Sequence, residues 1–237
     1  MKLIAEGIEK RYDRLHGSSN YFCAVQKTDL TLEAGRLIEI TGRSGSGKST
    51  LLNMLAGLLQ PTQGRVLLDG ADLYALPDRQ LSALRNRHIG VVPQGQTALH
   101  SLTVLENVLL PAQLQGRGPL PEERARMLLE KVGIGPLAHV RPAELSGGEL
   151  RRMAIARALI RQPDVLLADE PTGDLDDENT AAVLRLLRDA AREGAAVLLV
   201  THEAEAVRYA DAVYRMDAGA LTGPEEGGFH TAALVID

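Results

Sequence analysis

The feature that most restricts this chain is a short loop, Gly42-Arg43-Ser44-Gly45-Ser46-Gly47-Lys48-Ser49-Thr50. It fits the pattern G-x-x-x-x-G-K-[ST], and the residues on either side matter as much as the match. Leu37 to Thr41 is an apolar-rich run that reads as a strand, and from about Lys48 to Leu58 the apolar spacing is helical. Strand, glycine loop and helix in that order make a cradle for an anion. The glycines let backbone N–H groups turn inward with no Cβ in the way, and the helix N-terminus adds the positive end of its dipole. In such a cradle Lys48 pairs with the outer phosphates of a nucleotide and the Ser49 hydroxyl ligates Mg²⁺. A chance match in a chain of this size is on the order of a per cent, and the flanking pattern lowers that further.

A phosphate cradle alone is common to many nucleotide enzymes, and a second segment narrows the choice. Asp164-Val165-Leu166-Leu167-Ala168-Asp169-Glu170 reads as an apolar strand that delivers two adjacent carboxylates at its C-terminal end, the edge where open α/β sheets bind their ligands. Asp169 is suited to hold Mg²⁺ through water, because this hard ion keeps part of its hydration shell. Glu170 is placed to orient or deprotonate an attacking water.

Around these segments the chain alternates. Strands are expected at Lys2 to Glu6, Thr28 to Leu32, Leu37 to Thr41, Arg65 to Leu68, His88 to Val92, Asp164 to Ala168, Ala196 to Val200 and Ala212 to Met216. Helices are expected from Pro77-Asp78 to about Arg87, at Glu178 to Arg192 and at Glu203 to Tyr209, so a parallel sheet covered on both faces is the natural packing. Between Thr103 and Arg161 the pattern changes to helix only, at Val104 to Leu114, Pro121 to Val132 and Ser146 to Arg161, which reads as a helical insert. The tail from Gly223 to Asp237 shows no clear period.

Composition removes several classes. In 237 residues with 45% hydrophobic content the longest unbroken apolar run, Ala195 to Val200, is far short of a membrane span, and Glu6 and Glu9 interrupt the place where a secretory signal would need apolar residues. A cytosolic chain is expected. The one cysteine, Cys23, has no internal partner and reads as a small core residue. With a net charge of -5, two Phe, five Tyr and no Trp, neither a basic footprint nor a stacking platform for nucleic acid is expected. Arg79, Arg85 and Arg87, and again Arg151, Arg152, Arg157 and Arg161, sit at helical spacing and read as solvated faces or phosphate-sensing edges.

The third motif is Leu145-Ser146-Gly147-Gly148-Glu149, followed by Leu150 to Leu159. It is another hydroxyl and glycine group at a helix start, hence a second candidate anion cradle in a chain that already has one. This run, with the loop and the paired carboxylates in the same order, resembles the signature of the ATP-binding cassette (ABC) ATPases. The resemblance extends from about Lys2 to Leu221. It implies an α/β fold: a P-loop NTPase core of RecA-like type, with an N-terminal antiparallel β subdomain and an inserted α-helical subdomain. The single ATPase domain would span 1–222, its core about 1–92 and 163–222, its helical part about 93–162, with 223–237 as a tail.

The resemblance also implies roles. The ATP site would use the loop Gly42, Arg43, Ser44, Gly45, Ser46, Gly47, Lys48, Ser49 and Thr50, with Tyr12 stacked on adenine and Tyr21 or Phe22 as alternatives. Gln94 would touch Mg²⁺ and the attacking water, joining Ser49 and Asp169 at the metal. His202 would contact the γ-phosphate, so that Glu170, His202, Lys48 and Gln94 form the catalytic set. Ser146, Gly147, Gly148 and Glu149 would act in trans, on ATP held by a second subunit, and Asp174 and Asp176 would cross the interface. A homodimer, or a pair with a paralogue, would drive integral membrane permease subunits from the cytoplasmic face of the inner or plasma membrane. The long loop Asp13 to Cys23, Leu102 to Val108 and Pro171 to Asp176 are similar to the branch serving lipoprotein release, macrolide and peptide efflux and cell-division signalling, although Pro93 and Leu150 replace its usual Phe and Gln. A nucleotide switch acting on a membrane partner without transport, and a non-transport ABC ATPase acting on nucleic acid, are the alternatives.

Overall fold

Strands buried on both faces need uninterrupted apolar runs, and the centre of this chain supplies them. The computed structural model describes residues 1–13, 21–95, 97–114, 118–173 and 175–226. Its main sheet contains β3 (Leu37–Thr41), β6 (Ile89–Val92), β7 (Val165–Asp169), β8 (Ala196–Val200), β9 (Ala212–Asp217) and β10 (Ala220–Glu226), in the order β10-β9-β3-β8-β7-β6. All neighbours are parallel except β9 and β10, which form an antiparallel pair. Every residue of β7 and β8 is buried. Strand β10 continues the sheet to Glu226, into the segment where the sequence shows no period, and 227–237 lie outside the described residues.

One face of this sheet is covered by helix α1 (Lys48–Leu55) and by a second, antiparallel sheet. That sheet has the order β2-β1-β4-β5, built from β1 (Lys2–Asp13), β2 (Tyr21–Glu33), β4 (Gln63–Leu68) and β5 (Ala71–Asp72). Here the structure corrects the sequence. Strands β1 and β2 are about twice as long as the segments their apolar residues mark, because register shifts at Ala5/Ile8, Ile8/Lys10 and Lys10/Arg11 carry the pairing past breaks in the alternation. The long loop expected from Asp13 to Cys23 is reduced accordingly: Asp13 and Tyr21 are already paired, and 14–20 lie outside the described residues.

The other face carries α5 (Gly147–Leu159) and α6 (Asp177–Arg192), with α3 (Val104–Gln113) and α4 (Glu122–Lys131) packed on α5. Helix α6 buries Thr180, Val183, Leu184, Leu187 and Ala191, a spacing of three and four that lays one stripe on the sheet. Helix α3 starts at a capping box in which Thr103 Oγ1 accepts from the Glu106 amide at 3.2 Å and the Glu106 carboxylate accepts from the Thr103 amide at 2.8 Å. Between α2 (Asp78–His88) and the ends of α3 and α5 lies a cleft of about 790 Å³ lined by Arg79, Arg85, Arg157 and Arg161. Two of these arginines are not freely solvated: Arg157 donates to the Thr97 carbonyl at 2.8 Å and Arg85 to the Gly57 carbonyl at 3.0 Å, whereas Arg79 is exposed, as expected. Cys23 is only half-buried, with Sγ donating to the Val25 carbonyl, so it is not a core residue.

Candidate active site

The C-terminal ends of β3, β6, β7 and β8 open on one cavity of about 650 Å³. The glycine loop follows β3 and closes the cavity from below. Two of its glycines are required by close approach as well as by a positive φ: a Cβ on Gly42 (φ +155) would meet the Met216 carbonyl oxygen at 2.2 Å, and one on Gly47 (φ +108) the Ala24 carbonyl oxygen at 2.2 Å. The loop is thus wedged against the backbones of β9 and β2, and within it the Ser46 amide donates to the Arg43 carbonyl at 3.2 Å. Lys48 is buried and folds back, donating Nζ to the carbonyls of Gly42 at 2.8 Å and Arg43 at 3.0 Å.

Gly42, Arg43, Ser44, Gly45, Gly47, Lys48, Ser49 and Thr50 line the cavity. Ser46 does not: its side chain is buried, its Oγ lacks a hydrogen-bond partner, and its carbonyl accepts from Gly219 at 2.9 Å. Ser46 therefore helps anchor the loop to the turn between β9 and β10.

Asp169 and Glu170 meet different surroundings although they are adjacent. Asp169, the last residue of β7, is buried with Oδ1 unpartnered. Burial pushes its carboxyl above the ordinary value, while a hydrogen bond with the Ser49 side chain pulls the other way. A buried carboxylate oxygen with nothing to accept, beside a serine hydroxyl and facing a phosphate loop, is the donor set a hard divalent cation takes, so these residues fit Mg²⁺. Glu170 stands just past the strand with its backbone in the left-handed region at φ +49. Its amide donates to the Val200 carbonyl at 2.8 Å, and its Oε2 lies 2.9 Å from His202 Nδ1. His202 is 68% exposed at its side chain and faces the cavity, as does Gln94.

The register of β1 and β2 decides among the three aromatics. Tyr12 pairs with Phe22, and both line the cavity together with Ala24. Tyr21 pairs with Asp13 and does not line the cavity; its ring lies under the Arg11 guanidinium at 4.9 Å. The pattern of alternation in β2 would have separated Phe22 from Tyr21, had the strand been recognised that far. Arg151 and Gly173 also line the cavity, and neither was expected there.

The second cradle stands apart. Ser146 caps α5, with Oγ accepting from the Glu149 amide at 3.3 Å and the Glu149 carboxylate accepting from the Ser146 amide at 2.7 Å. The Ser146 amide and the Ser146 hydroxyl, which donates to the same carboxylate oxygen at 2.8 Å, hold the Glu149 carboxyl below the ordinary range and occupy it within its own turn. Ser146 and Gly147 are exposed, and none of 146–149 lines the cavity. Asp176 caps α6 by accepting from the Asn179 amide at 2.8 Å, and Asp174 lies outside the described residues.

A parallel sheet with a lysine-bearing glycine loop and a carboxylate pair at one edge is the architecture of a phosphate-loop ATPase. Comparison with known proteins narrows the class. The family model described as ABC transporter matches residues 25–173. The lipoprotein-releasing system ATP-binding protein LolD of Shewanella oneidensis is 45% identical over 226 residues, covering 94% of this chain and 96% of LolD. The macrolide export ATP-binding/permease protein MacB of Bartonella henselae is 38% identical over 220 residues, covering 92% of this chain but 33% of that longer protein. Among solved structures, the ATP-binding cassette MJ0796, captured as a dimer in a post-hydrolysis state bound to ADP and Pi, superposes with a TM-score of 0.88 at 33% identity, covering 94% of this chain and 98% of the other. The chain belongs to the ABC transporter family. It is an ATP-binding cassette and an ATP hydrolase.

Proposed function

We propose that this ATPase works as a pair and that its opening and closing move integral membrane permease subunits. The observation that carries the reading is a separation within the chain. The loop, the two carboxylates and His202 gather round one cavity, whereas the cradle at Ser146 is exposed and away from it. A second copy placed head to tail brings that cradle to a phosphate it otherwise never meets. ATP then favours the closed pair because its γ-phosphate bridges Lys48 of one copy and Ser146 and Gly148 of the other, and ADP does not. The dimer of MJ0796 with ADP and Pi supports this arrangement.

In each site the loop amides and Lys48 hold the phosphates, and the Tyr12–Phe22 pair receives the adenine. Ser49, Asp169 and Gln94 are the residues that would hold Mg²⁺, which when bound neutralises charge on the phosphoryl group being transferred. Glu170 orients the attacking water and takes its proton. With Nδ1 of His202 committed to Glu170, Nε2 is the nitrogen left for the γ-phosphate. Asp174 and Asp176 belong to the segment that faces the second copy.

The cargo we assign is a lipoprotein or similar acylated molecule, on the strength of the LolD similarity, which extends over nearly the whole of both chains. The arginine-lined cleft beside α2, rimmed by the exposed side chains of Leu58 and Leu114, is the surface we assign to the permease, on the cytoplasmic side of the membrane. Among the described residues no helix is long and apolar enough to cross a bilayer. The test is to purify the chain with its membrane partner, reconstitute the complex in vesicles and assay ATP turnover with acylated and non-acylated forms of one cargo. Stimulation by the acylated form alone is expected. Equal turnover with both refutes the cargo, and absence of any co-purifying membrane protein refutes the coupling.

A further inference from the structure

Glu170 is held in an unusual backbone conformation, and one side chain from a distant part of the sequence holds it there. At φ +49 the residue sits in the left-handed region that a side chain with a Cβ normally avoids. Its peptide is pinned on both sides. The amide donates to Val200 on β8 at 2.8 Å, and the carbonyl accepts from Arg151 Nη1 at 2.8 Å and from the Gly173 amide at 3.3 Å. Arg151 belongs to the second turn of α5, the helix capped by Ser146, and its guanidinium reaches across to line the nucleotide cavity. Its Nη2 lies 3.6 Å from the position a Cβ would take on Gly173, so the planar fork spans the turn that follows β7.

Rotating the Glu170 peptide toward an ordinary conformation would take the carbonyl away from Arg151 and swing the carboxylate away from His202, which it now meets at 2.9 Å. We infer that Arg151 is a positioning residue that locks Glu170 in its working orientation and ties that orientation to the exposed start of α5. The two half-sites of one chain are thereby joined. When a phosphate held by a second copy engages Ser146 and Gly148, the load falls on the helix that grips the Glu170 of the same chain. This rests on Glu170 being the water-activating group, and the test separates the two ideas.

Arg151→Met keeps an unbranched stem about as long as the aliphatic part of the side chain and removes every side-chain donor. Steady-state ATPase of the full chain should show kcat reduced about 10- to 100-fold, the scale of losing a charge-assisted hydrogen bond. Affinity for MANT-ADP should stay within about threefold of the parent, because the role assigned to Arg151 is to hold the Glu170 peptide and not to bind the nucleotide. Arg151→Lys, which keeps a cation and a donor, should recover most of the rate. Arg151→Leu, which also lacks any side-chain donor, carries the same comparison should the Met variant not fold. An unchanged kcat in Arg151→Met, with Glu170→Gln inactive in parallel, overturns the positioning role alone. A loss of MANT-ADP affinity matching the loss of kcat also overturns it, by making Arg151 a nucleotide ligand. Full turnover in Glu170→Gln overturns both this inference and the reading of Glu170.

Discussion

Glu39 lies in the middle of β3, fully buried, with Leu199 of β8 on one side and Val213 of β9 on the other. Neither carboxylate oxygen has a hydrogen-bond partner. Burial alone pushes this carboxyl up from the ordinary 4.5 to about 7. The folded state therefore holds a proton that the unfolded chain has already released between those two values. Stability must fall as pH rises through that window and level off above it. At about 1.4 kcal/mol per pH unit the span corresponds to about 3 kcal/mol. Glu39→Leu removes the titrating group and fills similar volume with methyl groups. Urea unfolding of both proteins at pH 4.5, 6, 7 and 8, at constant ionic strength, should show the variant gaining over the parent by about 3 kcal/mol between the lowest and highest pH, with the change complete near pH 8. A difference between the two proteins that is constant across the series would refute the reasoning, because it would mean that Glu39 does not titrate differently on folding.

Three further outcomes follow from the site. Lys48→Ala removes a buried cation from the loop and should abolish ATP binding measured by calorimetry, and unchanged affinity would sink the assignment of the loop. Gly47→Ala places a Cβ against the Ala24 carbonyl at a backbone angle that L residues rarely adopt, so thermal unfolding should register a loss of at least about 2 kcal/mol along with loss of nucleotide binding. Tyr12→Ala and Phe22→Ala should each weaken ATP binding by about 5- to 100-fold, from stacking of about 1–3 kcal/mol per base, whereas Tyr21→Ala should leave it unchanged; equal effects at all three positions would contradict the strand register.

Much of the site was legible because its residues are local in sequence. The loop after β3 and the carboxylates ending β7 each carry their context with them, a strand before and a turn or helix after. The capping of α5 was also readable, since Ser146 and Glu149 are three residues apart. What escaped depends on distant segments meeting. Arg151 was one of several arginines at helical spacing until the fold brought it within 2.8 Å of the Glu170 carbonyl. Phe22 could not be told from Tyr21 while the bulges in β1 hid how far the strands extend. Glu39 looked like an ordinary strand residue, because its cost arises only when β8 and β9 flank it and the face it shares with Leu37 and Leu199 is buried in the core.

The coupling of ATP to a membrane partner depends on whether ATP closes two copies of this chain. Glu170→Gln removes the base and leaves the loop and the Ser146 cradle intact, so ATP should bind and stay unhydrolysed. Size-exclusion chromatography with light scattering, run with ATP and Mg²⁺ and again with ADP, measures the outcome directly. A stable dimer with ATP and a monomer with ADP are expected. A monomer under both conditions, with ATP shown to be bound, would contradict that closure.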